Sequence, residues 1–352
     1  MIEISGASAH KFISHYHAPD CIMASTAVEI EATMSHEVAQ ILLPRIIDSQ
    51  GEFIFDHDVN IELNPVKKLL LDYFEGVSNF YEMTVGVMKV LAASEKNISE
   101  GEVYMTAFDQ IIYDQKSCQA VGIFKIDGKQ SFIESSLIND QLTMTLNKGI
   151  GIKDLNEGAL IILDSDQNEM ILKVFQNHPD IKYWRHQFLM IRPLENEFYQ
   201  TKNTMNLCKD FALRGLDEMA KVDQVDLLNK TVDYFSEKQS FDQSEFEEEV
   251  LASTEIKAAF NSYKDSFEEK HQIEAMSEQF EISKPAFKVA KKYIKSVIKL
   301  DRNFHVYVHG QRQEIERGYD EVRGKNYYKL YFDQEVKIGD VLTYPYFFPN
   351  VF

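Results

Sequence analysis

The spacing of apolar residues changes period twice along this chain, and that constrains its fold more than any other feature. Up to about residue 95 apolar side chains recur every three to four positions, the spacing of an amphipathic helix. The run Ser35–Ile47 places Val38, Ile41, Leu42 and Ile46 in this way, with Pro44 expected to kink or end it. Pro65 can open a second helix with Val66, Leu69, Leu70 and Tyr73 on one face, and a third is expected from Asn79 to Ala93. From Gly101 the pattern becomes that of strands, rich in β-branched and aromatic residues: GEVYMTAFDQIIYD, AVGIFKI, KQSFIES and ALIILDSDQNEMILKVF. Asp127-Gly128, between two apolar runs, predicts a two-residue hairpin, and the last segment predicts another with a longer polar turn.

Helical spacing returns near Glu195, and no proline occurs between Pro193 and Pro285. Helices are expected near Asn203–Leu216, Gln224–Ser236, Ser244–Leu251 and Ile256–Gln272, and the final 50 residues return to strands in HVYVHG and NYYKLYF. The expected class is α+β: N-terminal helices packed on one face of a mainly antiparallel sheet, then a helical array and a small C-terminal β segment. The β-to-α change suggests domains of residues 1–200 and 201–352.

With 352 residues and 44% apolar content, each half can bury its own core. Cys21, Cys118 and Cys208 are an odd, scattered set that fits no disulfide framework and suits a reducing cytosol. The N-terminal segment lacks a basic start and a long apolar run, so a leader is not expected. Nowhere do about 18 apolar residues run together, and no membrane span is expected. The net charge is −19, which repels phosphate. It is unevenly spread: residues 283–352 carry 13 Lys/Arg against 8 Asp/Glu, whereas residues 222–282 hold 16 acids and 5 lysines.

The most informative segment is SKPAFKVAKKYIKSVIKL, residues 283–300. Read as one helix capped by Ser283, it gathers Lys284, Lys288, Lys291, Lys292, Lys295 and Lys299 into an arc of roughly 100°. Phe287, Ala290, Ile294, Val297 and Ile298 fill a separate apolar arc. Lysines without intervening acids repel one another at i, i+4 spacing. A polyanion would relieve that repulsion; so would the acidic helices of residues 222–282, and a plain solvated face is the third reading. Arg302, Arg312, Arg317, Arg323 and Lys325 follow and could extend the same surface.

Other constellations carry less. His10, His15, His17 and Cys21 are the one local group of soft metal ligands, with residues 15 and 17 on the same side of a strand, but no second group completes a site. Gly149-Ile150-Gly151 lacks the rest of any phosphate-binding fingerprint and reads as a turn. No nucleophile elbow, zinc-protease helix, kinase set or paired catalytic carboxylates are present, so neither catalysis nor a cofactor is expected. The aromatic tail LTYPYFFPNVF, broken by Pro345 and Pro349, is expected to dock on the protein's own core or on a partner.

The stretch KYWRHQFLMIRPLENEFYQTKNTMNLCKDFAL carries Tyr183-Trp184, Phe188-Leu189, Asn196-Glu197-Phe198-Tyr199 and Asn206-Leu207-Cys208-Lys209. With GEVYMTAFDQIIYD, AVGIFKI and the segment from LDRNFHVYVHG to NYYKLYF, it resembles the bacterial nucleoid-associated protein family of YejK/NdpA-like proteins, in the form common in Bacteroidetes. The similarity spans roughly residues 100–332, with a weaker echo of the family's N-terminal strand in Ile2–Lys11. It implies a cytoplasmic, nucleoid-associated, DNA-binding protein without enzymatic activity, and it carries over no residue-level DNA site.

The resulting expectation is DNA binding with little sequence preference, through the lysine segment and its neighbouring arginines, weakening steeply with salt. Self-association into a homo-oligomer would place two weak basic patches on one duplex. The rival expectation is an interaction module whose acidic array engages a basic DNA-handling partner.

Overall fold

The structure is a computed structural model and describes residues 2–3, 6–17, 21–94, 100–138, 141–164, 169–177, 183–251, 253–273, 275–308 and 312–334. The chain divides into two compact units, Met1–Leu194 and Glu195–Phe352.

The first unit runs β1 (Ile2–Glu3), β2 (Ser8–His17), β3 (Val28–Glu29), α1 (Ala32–Leu42), α2 (Pro44–Ile47), β4 (Phe53–Phe55), α3 (Pro65–Phe74) and α4 (Phe80–Ser94). It continues through β5 (Gly101–Tyr113), β6 (Lys116–Ile126), β7 (Gln130–Ile138), β8 (Gln141–Gly149), β9 (Glu157–Asp164), β10 (Glu169–Gln176) and β11 (Ile191–Pro193). The described strands form an antiparallel sheet ordered β11-β4-β10-β9-β6-β5-β2-β3, with β1 pairing along β5. The helices begin and end where local chemistry dictates: Pro44 divides α1 from α2, and Pro65 stands in the first turn of α3.

Because strand side chains alternate, the central strands present two apolar faces. On one, Val103, Met105, Val121, Ile123 and Ile161 pack against Val66, Leu70, Met83 and Val87 of α3 and α4. On the other, Tyr104, Phe108, Phe124 and Leu160 pack against Ala39 and Leu42 of α1, Ile46 of α2 and Leu43 between them. The helices therefore cover both faces of the sheet and not one. The continuous apolar runs of AVGIFKI and ALIIL are what a doubly covered strand requires. Each fully buried Leu, Ile or Phe contributes about 1.5–3 kcal/mol through loss of apolar area from water.

Two further expectations are corrected. The N-terminal region is not mostly helical at its start, since the ten-residue β2 pairs along β5 from Ser8 to His17. Its inward positions include His15 and His17, so its polar composition hides the strand period. Asp127-Gly128 does not join a hairpin either. The free side of β6 is taken by β9, from Ala120↔Ile162 to Lys125↔Glu157, while β7 pairs with β8. The two-residue hairpin lies one turn earlier, at Asp114-Gln115 between β5 and β6, where both residues have positive φ (48° and 65°). The predicted β9–β10 hairpin is present, pairing from Asp164↔Glu169 to Glu157↔Gln176.

The second unit contains α5 (Glu197–Asp210), α6 (Lys221–Glu237), β12 (Ser240–Asp242), α7 (Gln243–Phe246), α8 (Thr254–His271), β13 (Gln279–Glu281) and α9 (Lys284–Lys291). Its C-terminal β segment is two hairpins, β14 (Val297–Leu300) with β15 (Phe304–Tyr307) and β16 (Ile315–Asp320) with β17 (Lys325–Leu330). The core is aromatic, with Phe211, Phe235, Phe246 and Phe260 fully buried and the Phe211 and Phe260 rings 5.2 Å apart, edge to face. The tail Leu342–Phe352 lies outside the described residues.

Candidate functional site

The lysine segment is a helix over only half the predicted length. Ser283 caps it by accepting the Ala286 N–H, and Pro285 occupies the first turn, where no hydrogen-bonded N–H is needed. The helix stops because Tyr293 N–H reaches back to Ala290 O and Ile294 N–H to Lys291 O, a tightened exit turn. The β-branched pair Val297-Ile298 then enters β14, where Ile298 stands opposite Val306. The single helix expected over residues 283–300 is therefore a helix, a turn and a strand.

This changes how the cations are arrayed. Lys284, Lys288 and Lys291 lie on α9, Lys292 caps it, Lys295 follows in the connection and Lys299 sits on β14 opposite His305. All six are solvent-exposed. The apolar arc divides as well: Phe287, Ala290 and Ile294 join the aromatic core, whereas Ile298 packs with Val222 and Val225 of α6.

Among the described residues none of the six lysines forms an ion pair with an acid, and the same holds for Arg302, Arg317 and Lys325. Two lysines of the acidic array are paired within it instead. Lys238 lies 2.7 Å from Glu245 and 2.8 Å from Glu249, and Lys230 lies 2.9 Å from Asp226. The hydrogen bonds that the Lys238 ammonium donates to both glutamates hold its pKa well above the ordinary value.

Two predicted residues face acids, one closely and one at the margin. Arg312 pairs with Asp223 and donates to Ile315 O, which ties the last hairpins to α6. Arg323 faces Asp320 at 3.8 Å and is otherwise exposed. One cation escaped sequence reasoning: Lys209 of α5 sits 6.0 Å from the ring centre of Tyr293, an exposed tyrosine just beyond α9. No local signal marks it, because the packing of α5 on α9 joins residues more than 80 positions apart.

The histidine group lies in the other unit. His15 and His17 both point inward from β2, and His15 Nε2 is 3.1 Å from the Thr84 hydroxyl. Among the described residues no set of three or more His, Cys, Asp or Glu could hold a metal, and no helix is long and apolar enough to cross a membrane.

A two-unit α+β architecture with an unneutralised run of cations on an acidic chain is the class of protein these features define. A family model described as nucleoid-associated protein YejK matches residues 26–330, and the chain belongs to that family. No curated protein and no solved structure gives a match.

Proposed function

We propose that this nucleoid-associated protein binds DNA directly and with little sequence preference, through Lys284, Lys288, Lys291, Lys292, Lys295 and Lys299 together with Arg302 and Lys325. The observation that carries this reading is the exposure of six unpaired lysines in a chain whose net charge is −19. Acids are abundant in the same unit, yet the described ion pairs among them go to Lys230, Lys238 and Arg312 and not to these lysines. A phosphate backbone supplies the missing counter-charge, and lysine contacts to it release condensed counterions. The exposed face of α9 offers lysines and no Asn, Gln or Arg, so it can grip phosphates but has little with which to read base edges. The activity is one of binding, with no catalytic step and no cofactor.

Titration of a fluorescent duplex with the full-length protein across a salt series tests this. About five phosphate contacts predict a slope near −4 to −5 in log K against log salt. Changing Lys284, Lys288, Lys291 and Lys292 to Glu should remove the binding. If folded wild-type protein leaves the duplex unbound at low salt, direct binding is wrong and nucleoid association runs through another protein.

A further inference from the structure

Between β6 and β9 the chain leaves the sheet and forms an arm. Strands β7 and β8 pair only with each other among the described strands, in unbroken register from Gln130↔Gly149 to Ile138↔Gln141. Directly paired residues share a face, so the register sorts the side chains. One face carries Phe132, Glu134, Ser136, Thr143, Thr145 and Asn147. It is largely polar and bonded within itself: Asn147 donates to Glu134 at 2.7 Å, and the Ser136 and Thr143 hydroxyls are 2.8 Å apart.

The opposite face is apolar. Ile133 pairs with Leu146, Ser135 with Met144 and Leu137 with Leu142. These five aliphatic side chains are 63%, 70%, 64%, 71% and 66% exposed for Ile133, Leu146, Met144, Leu137 and Leu142. A lone two-stranded hairpin is marginal in water, and one with an uncovered apolar face is worse placed still. The alternation is strict along β8 from Gln141 to Asn147, and Ile133 and Leu137 of β7 join the same face, which is how a strand pair is built to bury one face.

We infer that two copies of this chain dimerise arm to arm, with the Ile133, Leu137, Leu142, Met144 and Leu146 faces packed against each other about a two-fold axis. The area, the pattern and the charge each support a second copy as occupant. Five side chains at these exposures present roughly 600 Å² of apolar surface, the top of the range for the largest patch on an ordinary monomer. Two such faces together bury roughly 1,200 Å², the lower limit for a stable interface.

The face is also self-complementary. With the axis through the Ser135–Met144 pair, the Leu137–Leu142 pair of one arm meets the Ile133–Leu146 pair of the other, as an isologous contact requires. Finally, Lys148, paired with Ser131 at the margin, is the one charged residue on this side of the arm among the described residues. A chain of net charge −19 can therefore associate here without opposing carboxylates, whereas a basic partner would be drawn to the acidic helices.

Sedimentation analysis of the full-length protein without DNA tests this independently of nucleic-acid binding. Wild-type protein should reach twice the chain mass at micromolar concentrations. Ile133→Thr with Leu146→Thr leaves strand-favouring β-branched residues on the arm and should weaken the dimer at least tenfold, whereas Thr143→Lys on the polar face should leave it intact. Pyrene attached at Ser135→Cys, in a Cys21→Ser background, should give excimer emission that is lost on dilution. Monomeric wild-type protein, a dimer indifferent to the two threonines, or the absence of excimer in dimeric protein each overturns the arm-to-arm contact.

Discussion

Lys125 and Glu157 stand directly opposite one another on β6 and β9, both buried, with Lys125 Nζ 3.6 Å from Glu157 Oε2 and 3.2 Å from Asp127 Oδ1. An apolar sheet has thus enclosed an ammonium with one buried carboxylate, Glu157, at the end of its central strands, while Asp127 reaches it from the exposed turn. Burial raises the Glu157 pKa, and the Lys125 charge works against that rise.

Removing one partner of such a pair leaves an uncompensated buried charge. Lys125→Met should therefore cost about 3–5 kcal/mol in urea unfolding. The double variant Lys125→Met with Glu157→Leu should recover most of that loss, because neither charge then remains to be desolvated.

His17 lies against the same group. Burial first, and then the Lys125 charge, lower its pKa from 6.5 to about 4, with Asp127 pulling the other way. The unfolded chain binds the extra proton between those values, so stability is greatest above pH 6.5 and falls as pH drops toward 4. The contribution is of order 2–3 kcal/mol. Denaturation midpoints measured across this window should drop more steeply for wild type than for His17→Leu; parallel profiles would remove His17 as the cause.

Asn64 is buried and joins three segments. Its side-chain oxygen accepts from Val66 and Lys67 N–H and caps α3, while its amide nitrogen donates to the carbonyls of Asp56, Leu189 and Met190. Asn64→Ala should cost about 2–4 kcal/mol, combining a lost cap with orphaned buried carbonyls. Asn64→Asp keeps the cap oxygen but turns a donor into an acceptor toward those carbonyls. It should be destabilised as well, which a cap-only role would not predict.

At the β5–β6 turn, Gln115 adopts φ 65° after Asp114 at 48°. Left-handed backbone costs a residue with a Cβ about 1–2 kcal/mol, and Asn-Gly is the favoured pair for such a turn. Asp114→Asn with Gln115→Gly should raise thermal stability by about 1 kcal/mol, read as an upward shift in Tm.

Much was determined by local sequence. The helix starts at Pro65 and Ser283, the break at Pro44, the β9–β10 hairpin and the run of lysines on α9 all follow from capping, proline geometry and period, whereas the exposure of those lysines was decided by the tertiary structure. The alternation that makes one face of the β7–β8 arm apolar is likewise written in the residues, although without a register it could not be told from a core strand. Tertiary structure decided what depends on long-range partners. Asp127-Gly128 carries the local signature of a hairpin, yet β9 outcompetes β7 for the edge of β6 because its apolar run is buried on both faces there. The lysine segment leaves its helix at Lys292 because Val297 and Ile298 gain a paired strand and a contact with α6 that a longer helix would forgo. Lys125, Glu157 and His17 read as ordinary polar residues in sequence; only the closing of the sheet removes them from water and gives their charges consequence.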